Sequence, residues 1–326
     1  MRLHAKGRKR KLRVPSFGTA VLSTLLILIC FRILFIKMCG CDTHGRVHVA
    51  FTVDDSRFQR RALAVASNSI CLHTQRPSRI SVHIFTTAAT ALHVSTLLEC
   101  YLPERCRKSF LLHTLPDELT NSSFHVRSDA DQRLASPFNF VRFKLHRLLP
   151  DIGKVLYLDT DVIILNDLTN LYHRHLCRSS NKFLAVARRK TSLRRMLNFE
   201  HKIVAATGLN PTDKSFNAGV ILIHLENWRK HNVDRELERW VKLNSVTDLY
   251  KHGSQPPLLL TFRGVDTYEL FDGKWNVEGL GWKILQLEEL RHANILHWTG
   301  PQKPWLRSGM YKELWESYDV TKCWTS

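Results

Sequence analysis

Residues 154–168 read KVLYLDTDVIILNDL, two apolar runs separated by Asp159, Thr160 and Asp161. The run Val155 to Leu158 is short, partly β-branched or aromatic and almost wholly apolar, the pattern of a central strand covered on both faces. Asp159 falls at its carboxyl end, where open α/β sheets bind ligands. Residues two apart in an extended segment point the same way, so the carboxylates of Asp159 and Asp161 converge while Thr160 turns aside. Hard carboxylate oxygens suit Mn²⁺ or Mg²⁺, and two such ligands leave coordination positions for water and substrate phosphates. A metal-bound diphosphate is the expected occupant.

Spacing alone does not carry this reading. Asp129-Ala130-Asp131 is the same triplet, but its setting, SSFHVRSDADQRLAS (122–136), is polar, has no strand before it and reads as a solvated loop. For the first pair, the structural alternative is a helix-capping turn ahead of Asp167-Leu168.

Upstream, Arg46 to Val53 alternates like a strand, and Phe58 to Leu72 carries apolar residues at helical spacing. Ile80 to Phe85 reads as a strand, Ala91 to Leu102 as a helix and Ser109 to Leu115 as a strand. Phe138 to Leu149 reads as a helix ended by Pro150, leading straight into the strand before Asp159. Downstream, Phe183 to Ala187 reads as a strand and the basic Arg188 to Phe199 as a helical stretch. Asn217-Ala218-Gly219 precedes a strand at Val220 to His224, and Asp234 to Leu243 is a helix. Alternating strands and helices predict a mainly parallel sheet. No repeat or linker divides residues 46–326, which form one domain.

The first 45 residues read differently. Arg2, Lys6, Arg8, Lys9, Arg10, Lys11 and Arg13 form a basic tail over residues 1–16, and residues 17–36 are apolar except for Arg32. Twenty such residues span a bilayer as a helix, and a positive flank stays cytosolic. The run exceeds a signal h-region and FIKMCGCD offers no clear cleavage site, so a retained signal anchor with a short stem at 37–45 is expected. The domain would then face the lumen of the Golgi or the endoplasmic reticulum. A sequon at Asn121-Ser122-Ser123 and cysteines 71, 100, 106, 177 and 323 fit that compartment, although their pairing is not legible. The net charge of +19 includes nine positive charges before residue 38, and the remainder is spread out. With no nucleic-acid motif beside it, that charge reads as a solvated basic face rather than a nucleic-acid surface.

A second cluster lies near the carboxyl terminus. Ile295 to Trp298 reads as a short strand, followed by Thr299-Gly300-Pro301-Gln302-Lys303-Pro304-Trp305. His297 is a candidate third metal ligand, Gly300 permits close approach of backbone to a phosphate, and Lys303 neutralises one.

The segments FTVDDS (51–56), YLDTDV (157–162), FNAGVILIHLENWR (216–229), GSQPPLLL (253–260), WNVEGLG (275–281) and LHWTGPQKPW (296–305) together resemble the retaining transferases of glycosyltransferase family 8. That family includes glycogenin and bacterial lipooligosaccharide galactosyltransferases. The nearest resemblance is to animal glycosyltransferase 8 domain-containing proteins and plant galacturonosyltransferase-like proteins. The resemblance implies a GT-A-type α/β domain with a Rossmann-like nucleotide-binding half, using a UDP-sugar donor and an acceptor hydroxyl on a glycan or glycoprotein. By the same resemblance, Asp159, Asp161 and His297 hold Mn²⁺, Gly300 and Lys303 meet the diphosphate, and Asp54 and Asp55 meet the uridine. Arg142 reaches the nucleotide sugar, Asn217 lies near the sugar, and Gln255 lies on the reacting face of the donor. Bacterial relatives carry Asp-Gln where this chain has Ser254-Gln255, so a carboxylate that holds the sugar is missing. The competing expectation is a transferase-fold protein that binds nucleotide sugar or glycan without turnover.

Overall fold

The computed structural model describes residues 45–121, 124, 132–264 and 266–324. The basic tail, the apolar span, most of the stem and the Asp129/Asp131 pair lie outside them. Among the described residues no helix is long and apolar enough to cross a membrane.

The chain builds a seven-stranded sheet in the order β3-β2-β1-β4-β7-β6-β8. Its strands are β1 (Val47–Thr52), β2 (Ile80–Thr86), β3 (Phe110–Thr114), β4 (Lys154–Leu158), β6 (Leu184–Ser192), β7 (Lys214–His224) and β8 (Tyr268–Phe271). Only β7 runs against its neighbours, so the sheet is mainly parallel, as the alternation of elements predicts. A second sheet of three short strands has the order β5-β10-β9, formed by β5 (Val162–Ile164), β9 (Val277–Glu278) and β10 (Ile295–His297).

The helices α1 (Arg57–His73) and α2 (Ala88–Tyr101) make the crossovers between β1, β2 and β3. Every residue from Ala62 to Cys71 in α1 is buried; most are apolar, and the polar Asn68 and Ser69 among them donate to Tyr318 O and Ala66 O. Thr87 caps α2 by accepting a hydrogen bond from Thr90 N at 3.2 Å. Two cores fill the two faces of the large sheet: Leu156, Leu158, Val220 and Leu222 face one side, and Val155, Tyr157, Ile221 and Ile223 the other. This is the alternation that strands buried on both faces require.

Three sequence expectations need correction. Residues 138–149 are not one helix but 3-10 turns at Pro137–Asn139 and Val141–Phe143, followed by a single α turn at Leu145–Leu148. Val141, Arg142 and Phe143 are all buried, and the Arg142 side chain is drawn inward to Ala218 O and Asp159. The basic stretch after Ala187 continues β6 to Ser192, with register shifts against the long β7. Asn217-Ala218-Gly219 lies inside β7 rather than ahead of it, since that strand begins at Lys214.

Candidate active site

The residues Asp159 to Asp161 carry the chain from one sheet to the other. β4 ends at Leu158 in the large sheet and β5 starts at Val162 in the small one. Asp159 N continues the first ladder by donating to Gly219 O at 2.8 Å, and Trp298 N donates to Asp161 O at 3.0 Å to extend the second. Thr160 turns aside and donates to Gln59 Oε1 at 2.6 Å, leaving the flanking carboxylates on one side.

His297 closes the cluster because β10 pairs antiparallel with β5, setting His297 opposite Val162. Its Nε2 lies 3.3 Å from Asp161 Oδ1 and 3.9 Å from Asp159 Oδ2. One ligand atom from each of Asp159, Asp161 and His297 falls within 4.8 Å of the others. The His297 Nδ1 is 2.8 Å from Asn276 Oδ1, an acceptor, so Nδ1 carries the proton and Nε2 turns its lone pair toward two carboxylates. Three facing lone pairs repel unless a proton or a cation lies among them. Asp161 Oδ1 is buried with no hydrogen-bond donor. Two carboxylates and a neutral imidazole are a donor set that fits Mn²⁺.

Each carboxylate is held from behind. The buried Arg142 donates from Nη2 to Asp159 Oδ1 at 2.8 Å and to Tyr157 Oη at 3.3 Å. It also donates from Nη1 to Ala218 O at 2.7 Å and from Nε to Asn139 O at 3.0 Å. With every nitrogen engaged, Arg142 orients Asp159; no contact to a nucleotide sugar is needed to explain its burial. Lys303 Nζ binds Asp161 Oδ2 and Trp298 O. Burial alone would raise the Asp161 carboxyl, but the Lys303 ammonium first, and His297 when a proton rather than a cation occupies Nε2, hold it well below the usual carboxylate range.

Two glycines are dictated by contact. A Cβ on Gly219 would come within 2.2 Å of His297 Cε1 and 2.5 Å of Asp159 Oδ2. A Cβ on Gly300 would lie 2.1 Å from the Gly281 carbonyl carbon, and Gly300 N already donates to Leu280 O at 3.0 Å. The structure therefore gives Gly300 a packing reason in addition to the phosphate approach expected of it.

Asn217 and Gln255 are adjacent to the cluster through β7. Asn217 Oδ1 accepts from Gly219 N at 2.8 Å, and Gln255 Oε1 accepts from Ala218 N at 3.2 Å. Pro256 and Pro257 start the helix α3 (Gln255–Thr261), where their missing N–H groups leave no donor unmet. Asp54 and Asp55 follow β1, whose carboxyl end lies beside that of β4. Asp54 Oδ1 accepts from Ser56 N at 3.0 Å; burial raises its carboxyl, the Ser56 N–H opposes that, and Asp55 adds to it.

Three members escaped the sequence reading: Asn276, Glu278 and Arg189. Asn276 and Glu278 stand in the quoted WNVEGLG segment. There the period of two on a strand paired with His297 was the available signal. Arg189 lay in the stretch read as helical. Glu278 Oε2 accepts from Asn217 Nδ2 at 2.9 Å and lies 2.9 Å from Arg189 Nε, an ion pair.

The model of the family described as "Glycosyl transferase family 8" matches residues 48–309. The chain is 29% identical over 296 residues to "Glycosyltransferase 8 domain-containing protein 1" of Xenopus laevis, covering 84% of this chain and 79% of that protein. It is 30% identical over 297 residues to "Probable galacturonosyltransferase-like 10" of Arabidopsis thaliana, covering 87% and 78%. The solved structure of galactosyltransferase LgtC in complex with donor and acceptor sugar analogues is similar in fold, with TM-score 0.65 at 21% identity over 84% of this chain and 96% of that one. The match spans both sheets and every residue of the Asp159, Asp161 and His297 cluster, and the chain belongs to glycosyltransferase family 8.

Proposed function

We propose that the protein transfers a sugar from a UDP-sugar to an acceptor hydroxyl with retention of anomeric configuration, using Mn²⁺ held by Asp159, Asp161 and His297. The observation that carries this reading is the convergence of those three ligand atoms, with Asp161 Oδ1 buried and lacking a donor. A divalent cation bound there supplies Lewis-acid neutralisation of the departing diphosphate.

The chain's own groups do the rest. Arg142 fixes Asp159, and Asn276 fixes the His297 tautomer. Lys303, within reach of the cluster, adds positive charge where the leaving group becomes negative. The bond between C1 and the UDP oxygen breaks with its electron pair going to UDP. The acceptor oxygen bonds C1 from the same face and passes its proton to the leaving oxygen. Gln255 stands beside β7 to orient the donor for that attack.

The same reading includes a type II arrangement, with residues 17–36 as the membrane anchor and the domain in the Golgi lumen. Its support is the sequence of that segment together with the half-cystine state of all five cysteines among the described residues, which an oxidising compartment favours.

The test is UDP release by the full-length protein in detergent across the common UDP-sugars, with glycan acceptors, in Mn²⁺ and after chelation. Chelation abolishes release on this reading, and Asp161→Ala lowers it by more than about 100-fold. Equal activity in Asp161→Ala would overturn the metal role. Tight UDP binding without sugar release for any donor would favour a binding protein instead.

A further inference from the structure

We propose that Glu278, anchored by Arg189 and Asn217, is the carboxylate that binds a hydroxyl of the donor sugar, and that this pairing selects a neutral sugar over a uronate. The inference rests on the transferase reading above. Glu278 is the register partner of His297 in the pairing of β9 with β10, which sets it one strand spacing, about 4.8 Å, from the metal ligand. A sugar attached to a diphosphate at the cluster extends outward from the metal by at least that distance, which brings its ring hydroxyls to the neighbouring strand.

The carboxylate is held at one oxygen and open at the other. Asn217 Nδ2 donates to Oε2 at 2.9 Å, Arg189 Nε lies 2.9 Å from the same oxygen as an ion pair, and among the described residues no protein donor meets Oε1. Gln255 shows the complementary arrangement. Its Oε1 is fixed by Ala218 N, while its Nε2 is buried without a partner. The acceptor Glu278 Oε1 and the donor Gln255 Nε2 therefore flank the stretch Asn217 to Gly219. A polyhydroxyl ring can satisfy both, since each hydroxyl donates and accepts. Ser254, at the start of α3, is buried and brings no charge to this end of the site. The Arg189 guanidinium would suit a sugar carboxylate, but Glu278 already neutralises it.

The experiment is calorimetric titration of the full-length protein in Mn²⁺ with UDP, UDP-glucose, UDP-galactose and UDP-glucuronate, for the parent and for Glu278→Gln. In the parent, at least one neutral UDP-hexose binds more tightly than UDP, and UDP-glucuronate does not. In Glu278→Gln that increment over UDP falls roughly tenfold while UDP affinity itself holds, because only the sugar loses a charged acceptor. UDP-glucuronate gains affinity in the same variant as Arg189 loses its partner. An increment within twofold of the parent, or a parent that prefers the uronate, overturns the inference and leaves the transferase reading standing. A parent that binds no UDP overturns both. Arg189→Met provides the second variant: it lowers the hexose increment without admitting the uronate, and an unchanged increment there counts equally against the proposal.

Discussion

The imidazole of His297 is useful to a cation only through Nε2, and Asn276 decides that by accepting the Nδ1 proton at 2.8 Å. Replacing Asn276 with Ala frees the ring to rotate or change tautomer, and Mn²⁺ affinity should fall by about 10–100-fold. Titration of Mn²⁺ followed by electron paramagnetic resonance reads this directly; unchanged affinity would remove Asn276 from the site. Gly219 acts by being small. A methyl there collides with both His297 and Asp159. Gly219→Ala is therefore expected to lower Mn²⁺ affinity by at least about tenfold and to destabilise the fold by roughly 1–3 kcal/mol, measurable by denaturant titration. The ligands Asp159, Asp161 and His297 could be read from the chain because each lies at one end of a recognisable apolar strand, Asp161 just before β5 and the other two at the carboxyl ends of β4 and β10. Asn276, Glu278 and Arg189 could not, because their roles come from contacts 21, 61 and 89 positions away: Asn276 to His297, Glu278 to Asn217, Arg189 to Glu278.

At the scale of elements, the sheet explains a second cluster on β1, β2 and β3. His48 Nδ1 lies 3.0 Å from His83 Nε2, and His83 Nδ1 lies 3.0 Å from His113 Nε2, a hydrogen-bonded row across three adjacent strands. Burial lowers the His83 pKa to about 4, with the neighbouring His48 and His113 adding to the effect. A histidine whose folded value is depressed stabilises the protein above its unfolded value of about 6.5, and loses that contribution as pH falls toward 4. The loss is on the order of 2 kcal/mol after allowing for screening of a partly solvated group. Denaturant titrations at pH 7 and pH 4.5 should show it, and His83→Phe should flatten that segment of the profile. Element type was legible wherever the hydrophobic period was clean, as in β1, α1 and β2. It failed at 138–149 and 188–199, where the chain obeys tertiary demands: delivering Arg142 to Asp159 in one case, and matching the eleven residues of β7 in the other.

Across the whole molecule, the small sheet is joined to the large one at the metal cluster, while disulfides tie the helices beside β1, β2 and β3 to the chain that follows them. Cys100 in α2 bonds Cys323 across 223 positions, and Cys71 in α1 bonds Cys106 across 35. Loop-closure entropy favours the longer bridge, so Cys100→Ser with Cys323→Ser should cost about 2–5 kcal/mol, and a reductant should lower the melting temperature of the parent far more than that of the double variant. The pairing was closed to sequence reading because it depends on where α2 meets the chain terminus. The site itself depends on both sheets, since Asp159 belongs to the end of one and His297 to the end of the other. The most direct measurement of the account is therefore Mn²⁺ binding by electron paramagnetic resonance, with and without UDP, on the full-length protein and on His297→Ala. One Mn²⁺ site per chain, tightened by UDP and lost in His297→Ala, is the expected result; no bound Mn²⁺ in the parent, or equal binding in the variant, would contradict the assignment of the cluster as a metal site.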